Sequence, residues 1–170
     1  MKIRDLTKSA LFAAIMIVCA WIYIPGPVPF TMQTFGIYLG LYLLGGRITT
    51  IGVVVYLLLG IVGLPVFSAF QGGVSVLIGA TGGYLTGFLA ICLVFWFMER
   101  KGKGGILAAI MGTAVCYAVG TVWYVSVYLN GNTPGIAAAL VQYVLPYIIP
   151  DGLKLFLAHL VSKRMKKSTG

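Results

Sequence analysis

The stretch "PYIIPDGLKLFLAHL", residues 146–160, carries an aspartate and a lysine inside an otherwise apolar run near the end of the chain. Asp151 and Lys154 are three positions apart, so a helix places both side chains on one face. Pro146 and Pro150 each remove a helix hydrogen bond just before the pair, and Gly152 lets other groups approach the backbone. What the pair does depends on whether water or lipid surrounds this run.

The composition of the whole chain indicates lipid. Of its 170 residues, 60% are hydrophobic and only 9% are charged, and the mean hydropathy is +1.02. Soluble domains average about 45–50% apolar and about 25% charged residues. A helix needs about 20 apolar residues to cross a bilayer, and somewhat fewer when it is short. The chain therefore has room for about six crossings and for little else.

Turn residues and charges divide the chain into six apolar runs. These runs predict helices over residues 9–24, 33–46, 48–63, 82–98, 104–129 and 136–162. We therefore expect an all-α integral membrane protein in which residues 1–170 form a single six-helix domain. The first run follows a basic head, as in a secretory signal, but the apolar character continues along the chain. We interpret this run as the first span.

The basic residues predict the orientation of these spans. Eleven of the twelve lysines and arginines fall at residues 2–8, 47, 100–103 and 163–167, whereas the connections 25–32, 64–81 and 130–135 contain no charged residue. Positive charge accumulates in cytoplasmic loops. Six crossings with both termini in the cytoplasm satisfy this bias, and the same clustering argues against a nucleic-acid-binding face. Lys154 is the remaining basic residue.

Two of the uncharged outer connections are predicted to form apolar lids. One is "PGPVPFTMQT", residues 25–34, and the other is "LPVFSAFQGGVSVLIGATGGY", residues 64–84. The second is longer than the usual connection of about 2–8 residues in a helical bundle. Apolar lids with a few hydroxyl and amide groups suit a mostly apolar ligand with a few polar atoms. Loops that only cover helix ends would have the same composition.

Asp151 and Lys154 lie within the sixth predicted span, about 16 Å from its cytoplasmic end at about 1.5 Å per residue. A charge at the middle of a spanning helix costs about 2.5–3.5 kcal/mol, so it should face the bundle interior and have a partner. The pair could be a structural ion pair, although a buried ion pair seldom stabilises more than apolar residues do. It could instead bind a ligand such as a cyclic urea with an acid tail, an amino acid or a coupled proton.

Other chemistries have little support in the sequence. Cys19, Cys92 and Cys116 are scattered within predicted spans without paired spacing, and the single histidine, His159, does not make a metal site with them. His159 is more typical of a packed histidine than of a proton relay. No nucleophile–base pair indicates an enzyme, and there is no phosphate-binding loop sequence for ATP. We expect neither a metal nor a cofactor.

Four stretches in this order resemble one known family. They are "VPFTMQT" (28–34), "VVVYLLLGIVGLPVF" (53–67), "LIGATGGYLTGF" (77–88) and "PDGLKLFLAHL" (150–160). Together they are similar to BioY, the biotin-specific substrate-binding subunit of energy-coupling-factor (ECF) vitamin transporters. The resemblance implies a protein of a prokaryotic cell membrane that captures biotin on the outside. It also implies that a transmembrane coupling subunit and two cytoplasmic ATPase subunits supply the energy.

The same resemblance implies a set of site residues. Asp151 and Lys154 match the polar pair of the family's sixth helix; Asp151 would accept hydrogen bonds from the ureido N–H groups, and Lys154 would donate to the ureido carbonyl or to the valerate carboxylate. Further residues are expected to close the pocket: Gln33, Thr34, Phe67, Phe70, Tyr84 and Tyr143. Small residues permit close helix approach, and Ala10 and Ala14 in "ALFAA" match the docking pattern for the coupling subunit.

Two other functions remain open on sequence alone. A solitary secondary carrier could couple uptake of biotin or another small acid to protons through Asp151. A receptor could bind the ligand without moving it. Transport driven by a pH gradient in the absence of an ATPase would identify the secondary carrier. Only transport measurements distinguish the receptor from a transporter.

Overall fold

The structure, a computed structural model, describes residues 2–26, 29–128, 140–141 and 144–168. The chain is mostly helical. Its long helices are α1 (Ile3–Trp21), α2 (Gln33–Leu44), α3 (Gly46–Ile61), α5 (Gly82–Arg100), α6 (Ile106–Trp123) and α7 (Leu145–Ser168), and the short α4 (Val74–Ile78) precedes α5. The fold is thus helical, as expected from the sequence.

The ends of several helices differ from the predicted ends. α1 begins at Ile3 and includes charged residues that the apolar pattern leaves out of the span predicted at 9–24; Asp5 in its first turn favours helix initiation through the helix dipole. α6 is followed by a π-helical turn, Tyr124–Tyr128. The predicted span 136–162 corresponds to α7 only from Leu145 onwards, and most of its first part falls outside the described residues.

Helices α2 and α3 are separated by Gly45 alone. Gly45 has a φ of +83°, which favours glycine because a side chain is strained there. The backbone N–H of Gly46, at the start of α3, donates to Oε2 of Glu99 at 2.8 Å. A carboxylate from the end of α5 thereby satisfies an N–H that the helix itself leaves without a partner.

The connection after α1 forms a small β-hairpin, which the expectation of an all-α chain did not include. β1 (Tyr23–Ile24) pairs antiparallel with β2 (Phe30–Thr31), with Tyr23 opposite Thr31. The three prolines of "PGPVP" prevent a helix at this point, and a two-residue ladder satisfies the backbone groups that flank them. The hairpin places the carbonyl of Thr31 close to the start of α2, which begins at Gln33.

The connection after α3 folds back on the bundle, as its composition predicts. It contains a 3₁₀ turn, Ser68–Phe70, and then α4. The Gly73 N–H donates to the Gly60 carbonyl at 2.7 Å. A Cβ added to Gly72 would lie 2.2 Å from the Leu64 carbonyl oxygen, so only glycine permits this close approach of the two backbones.

Close backbone contacts join α5 to α6. A Cβ added to Gly112 would lie 2.9 Å from Cα of Ile91, and one added to Gly87 would lie 3.2 Å from Cα of Cys116. Small residues let helices approach in this way when lipid gives no hydrophobic drive between them. The core continues towards α1, where the ring of Phe12 fills the space beside Gly40 and Gly52.

Large apolar side chains cover the outer surface. On α6, for example, Leu107, Met111 and Val122 are each at least half exposed, which is typical of a surface that contacts lipid or a partner. Two described helices, Gly82–Arg100 and Ile106–Val127, are long and apolar enough to cross a membrane on length and composition. α2 and α3 are shorter apolar helices.

Candidate ligand-binding cavity

A cavity lies between helices α2, α5, α6 and α7 and the connections that follow α1 and α3, which we call the two folded-back connections. We call it the inner cavity; its empty space, including open solvent at its mouth, is about 620 Å³. It is lined by Pro29, Thr31, Gln33, Thr34, Ser68, Thr81, Tyr84, Leu85, Phe88, Cys116, Tyr117, Tyr147, Asp151 and Lys154. The wall is mostly apolar, with its charged groups on α7.

Asp151 and Lys154 are both buried and form an ion pair. The Lys154 ammonium lies 2.8 Å from Oδ1 of Asp151. Lys154 is 5% exposed and Asp151 is 6% exposed. One turn of α7 therefore presents both charges to the cavity, as their three-residue spacing predicts. The pair does not stand alone, because other groups contact both charges.

The Lys154 ammonium has three acceptors. It donates to the Thr31 carbonyl at 2.6 Å, to Oδ1 of Asp151 at 2.8 Å and to the Thr34 hydroxyl at 3.1 Å. An ammonium has three N–H groups. In addition, the ring of Phe30 lies 3.8 Å from the ammonium, a cation–π contact. In this arrangement every N–H of Lys154 has a partner among the described residues.

The Asp151 carboxylate has acceptor capacity to spare. Oδ1 accepts from Lys154 and from the Thr34 hydroxyl, the latter at 2.8 Å, whereas Oδ2 accepts from the Tyr117 hydroxyl at 2.6 Å. An ionised carboxylate offers about four lone-pair sites on its two oxygens. Oδ2, with one donor among the described residues, is therefore the charged atom best able to accept a hydrogen bond from a ligand.

Gln33 is fixed by its neighbours at the start of α2. Its Oε1 accepts from the Thr31 hydroxyl at 2.8 Å, and its Nε2 donates to the Tyr56 hydroxyl at 2.6 Å. The remaining amide N–H and the carbonyl oxygen are the polar atoms that Gln33 can still offer. A buried amide held in this way has a defined orientation, which a ligand contact requires.

The structure brings most of the predicted site residues together. Gln33, Thr34, Tyr84, Asp151 and Lys154 all line the inner cavity. Tyr84 lies in close contact with Gly120, where an added Cβ would be 2.3 Å from its ring. Tyr143, the predicted residue before α7, lies outside the described residues.

Two predicted residues lie elsewhere, so their placement needs correction. Phe67 is fully buried in the core, with its ring 5.5 Å from that of Tyr56. Phe70 is 59% exposed, and its ring lies 5.0 Å from that of Trp21. Neither lines the inner cavity. A 3₁₀ turn, Ser68–Phe70, follows Phe67 directly, and sequence spacing does not reveal such a turn.

Sequence reasoning missed several residues that the structure places at the site, among them Tyr117, Thr31 and Tyr147. Tyr117 donates to Asp151, and Thr31 contributes its carbonyl to Lys154. Tyr147 lines the cavity from α7. Tyr147 lies four positions before Asp151, a helical spacing that could have indicated it. Tyr117 carried no signal beyond a polar hydroxyl within an apolar run.

His159 lies away from the inner cavity. Its ring packs edge-on against Tyr42, with the ring centroids 5.3 Å apart, which fits a packed histidine. The three cysteines are buried as free thiols. No group of three or more His, Cys, Asp or Glu side chains within the described part of the chain could hold a metal ion.

The fold and the cavity together define a class of protein: an apolar helical bundle with a mostly apolar cavity that contains a buried charged pair. Comparison with known proteins gives the family. The sequence profile of the BioY family matches residues 1–170, so the chain belongs to that family.

Individual relatives agree with this assignment. The chain is 39% identical over 168 residues to "Biotin transporter BioY" of Thermotoga maritima, with 96% of each chain covered. It is 33% identical to "Probable biotin transporter BioY" of Pyrococcus horikoshii, covering 99% of this chain and all of that one. A crystal structure of "the S-component for biotin from an ECF-type ABC transporter" superposes with a TM-score of 0.84 at 28% identity, covering 97% of this chain and 92% of the other.

Proposed function

We propose that this protein binds biotin in the inner cavity and carries it into the cell as the substrate-binding subunit of an ECF-type importer. The observation that carries the proposal is the buried Asp151–Lys154 pair in an otherwise apolar cavity. Biotin has a matching distribution of groups, since its ureido ring is polar and its fused sulfur ring and chain are mostly apolar. The names of the relatives support the same ligand.

In this proposal the ureido group lies against Asp151. Its N–H groups donate to the carboxylate, where Oδ2 has free acceptor capacity. Lys154 pairs with Asp151 and holds its carboxylate in place, and it donates to the ureido carbonyl or to the carboxylate of biotin if the ligand displaces one of its present acceptors. Leu85 and Phe88 contact the apolar part of the ligand, and Gln33, Thr34 and Tyr84 complete the wall.

The proposal includes a membrane arrangement. The single domain crosses the cell membrane of a prokaryote six times, with both termini in the cytoplasm and the two folded-back connections outside. The distribution of lysine and arginine supports this orientation. The exposed apolar surfaces of α1, α6 and α7 would then face lipid or a partner subunit.

Energy comes from partner proteins in this proposal. A transmembrane coupling subunit would dock on α1, and two cytoplasmic ATPase subunits would drive the cycle. Ala10 and Ala14 support the docking site, because both are exposed on α1 while Phe12 and Ala13 between them are buried. A partner helix could approach closely at these two small residues.

Equilibrium binding of biotin to the purified full chain tests the proposed ligand. We expect tight binding by the wild type and a loss of at least about tenfold, or about 1.4 kcal/mol, in Asp151→Asn and Lys154→Met. The asparagine keeps the shape of the side chain but replaces one acceptor oxygen with an N–H donor. Glu99→Gln is the matched control, because Glu99 caps α3 and does not line the cavity.

The same variants separate a ligand site from a structural ion pair. Breaking a buried pair by removing one partner costs about 3–5 kcal/mol, so a lower melting temperature is expected in both cases. If folded Asp151→Asn and Lys154→Met bind biotin as the wild type does, the pair is structural only. If the wild type does not bind biotin, the ligand assignment is wrong.

A further inference from the structure

A second cavity adjoins the inner cavity on the side of the two folded-back connections. We call it the outer cavity; it encloses about 1210 Å³ of empty space, including open solvent at its mouth. Pro29, Ser68 and Thr81 line both cavities. Asp151 and Lys154 line only the inner one. A ligand anchored at the charged pair and long enough to pass these shared residues would therefore enter the outer cavity.

The hydrogen bonds of the charged pair indicate which end of a ligand is anchored. The three N–H groups of Lys154 have acceptors within the protein, whereas Oδ2 of Asp151 can accept further donors. At the charged pair, a ligand can therefore bind the acceptor Oδ2 of Asp151 more readily than the ammonium of Lys154. An N–H-bearing group of the ligand fits there, and an anionic group does not compete well for Lys154, whose existing partners include a buried carboxylate.

The lining of the outer cavity is polar but neutral. It consists of Tyr23, Pro25, Gly26, Pro29, Ser68, Ala69, Gln71, Gly72, Ser75, Val76, Gly79, Ala80 and Thr81. Among these described residues there is no lysine, arginine or histidine that could pair with a carboxylate. Hydroxyl and amide side chains suit a neutral amide at least as well. The described lining of the outer cavity therefore offers no charged group that would select a free acid over its amide.

We propose that the protein also binds amides of biotin, in which the carboxyl group is joined to an amine and the added substituent occupies the outer cavity. This proposal rests on the proposed function, because it places the ureido ring at Asp151. It extends the substrate class from a free acid to a ureido bicycle whose chain ends in a carboxylate or a neutral amide. The roomy, neutral outer cavity is the observation that carries it.

Binding measurements on the purified wild-type chain decide the proposal. The probes are biotin, its primary amide, and biotin joined through an amide to the side-chain amine of lysine. We expect the two amides to bind within about tenfold of biotin. Affinities of both amides more than about tenfold below that of biotin would overturn the proposal and leave the proposed function intact. Absence of biotin binding would overturn both.

Two variants test the location of the substituent. Ser75→Trp and Gln71→Trp each place a large side chain in the outer cavity, so we expect about tenfold weaker binding of the lysine conjugate with biotin binding unchanged. Val74→Trp is the control; Val74 is exposed on the same short helix and does not line the cavity. If folded Ser75→Trp and Gln71→Trp bind the lysine conjugate as tightly as the wild type does, the substituent does not occupy the outer cavity. Unchanged biotin binding shows that a variant is folded. If a variant does not fold, the affinities of the wild-type chain for biotin and its two amides still decide the proposal.

Discussion

Asp151 shows at the scale of single residues how an apolar bundle accommodates a charge. Its carboxylate accepts hydrogen bonds from Lys154, Thr34 and Tyr117. A buried carboxylate without partners would be very costly, and each donor reduces that cost. The donors come from α2, α6 and α7, so they are brought together only by tertiary folding.

The hydroxyl of Tyr117 donates a hydrogen bond to Oδ2 of Asp151. Tyr117→Phe removes a hydrogen bond to a buried charged group, which is worth about 1.5–3 kcal/mol. We expect a lower free energy of unfolding, measured as a lower melting temperature of the purified protein, and weaker ligand binding because Oδ2 loses the group that orients it.

Tyr42→Phe provides the matched control for this prediction. The Tyr42 hydroxyl is buried and has no hydrogen-bond partner among the described residues, so its removal should leave stability unchanged or slightly higher. A similar melting temperature in both variants would show that the Tyr117–Asp151 contact contributes nothing measurable.

At the scale of elements, glycines determine how α5 and α6 pack. At Gly112 an added Cβ would lie 2.9 Å from both Cα and the carbonyl oxygen of Ile91. These are backbone atoms, so no side-chain rotation relieves the contact. The two helices must separate locally to accept any larger residue, and this separation would disturb the α5–α6 wall of the inner cavity.

A single methyl group tests this packing. Gly112→Ala should destabilise the protein by about 1–3 kcal/mol, as overpacking does, and should lower its melting temperature. Gly152→Ala is the control, since no described residue lies within 4 Å of an added Cβ there. Alanine is preferred over glycine in a helix by about 1 kcal/mol, so this control should be neutral or stabilising. The opposite order of the two melting temperatures would contradict the packing argument.

At the scale of the whole molecule, the exposed surface of α1 bears on assembly. Ala10→Trp and Ala14→Trp should abolish biotin uptake in cells that express all subunits, because a large side chain prevents close approach of a partner helix. Purified variants should still bind biotin. Val122→Trp, on the exposed surface of α6, should transport normally. Normal uptake by both alanine variants would place the interface elsewhere.

The orientation of the chain gives a further prediction. The three native cysteines are buried, so a new surface cysteine can be labelled selectively. In intact cells a membrane-impermeant maleimide should label Ser75→Cys on the outer connection but not Ser168→Cys, at the end of α7 beside a basic cluster. Permeabilised cells should show labelling of both. Labelling of Ser168→Cys in intact cells would contradict a cytoplasmic C-terminus.

The energy source distinguishes the proposed importer from a solitary carrier. An importer driven by partner ATPases should take up biotin into vesicles only when those subunits and ATP are present. A proton-coupled carrier would need only a pH gradient. Uptake by the purified chain alone under such a gradient, and its loss in Asp151→Asn, would favour the carrier.

The sequence by itself determined the helical class and the charged pair. The apolar composition indicates that lipid surrounds the chain. The i, i+3 spacing of Asp151 and Lys154 places both side chains on one helix face, because this depends only on helix geometry. The likeness of four short stretches to BioY indicated the family, which the comparison over residues 1–170 shows.

Only the tertiary structure decided which residues from distant helices meet that pair. Tyr117 and Thr34 reach the same carboxylate across 34 and 117 positions of sequence, whereas Phe67 and Phe70 do not line the cavity. Contacts of this kind depend on how closely helices approach and on how a loop turns. They follow from the packing of the whole bundle, which no local pattern of residues specifies.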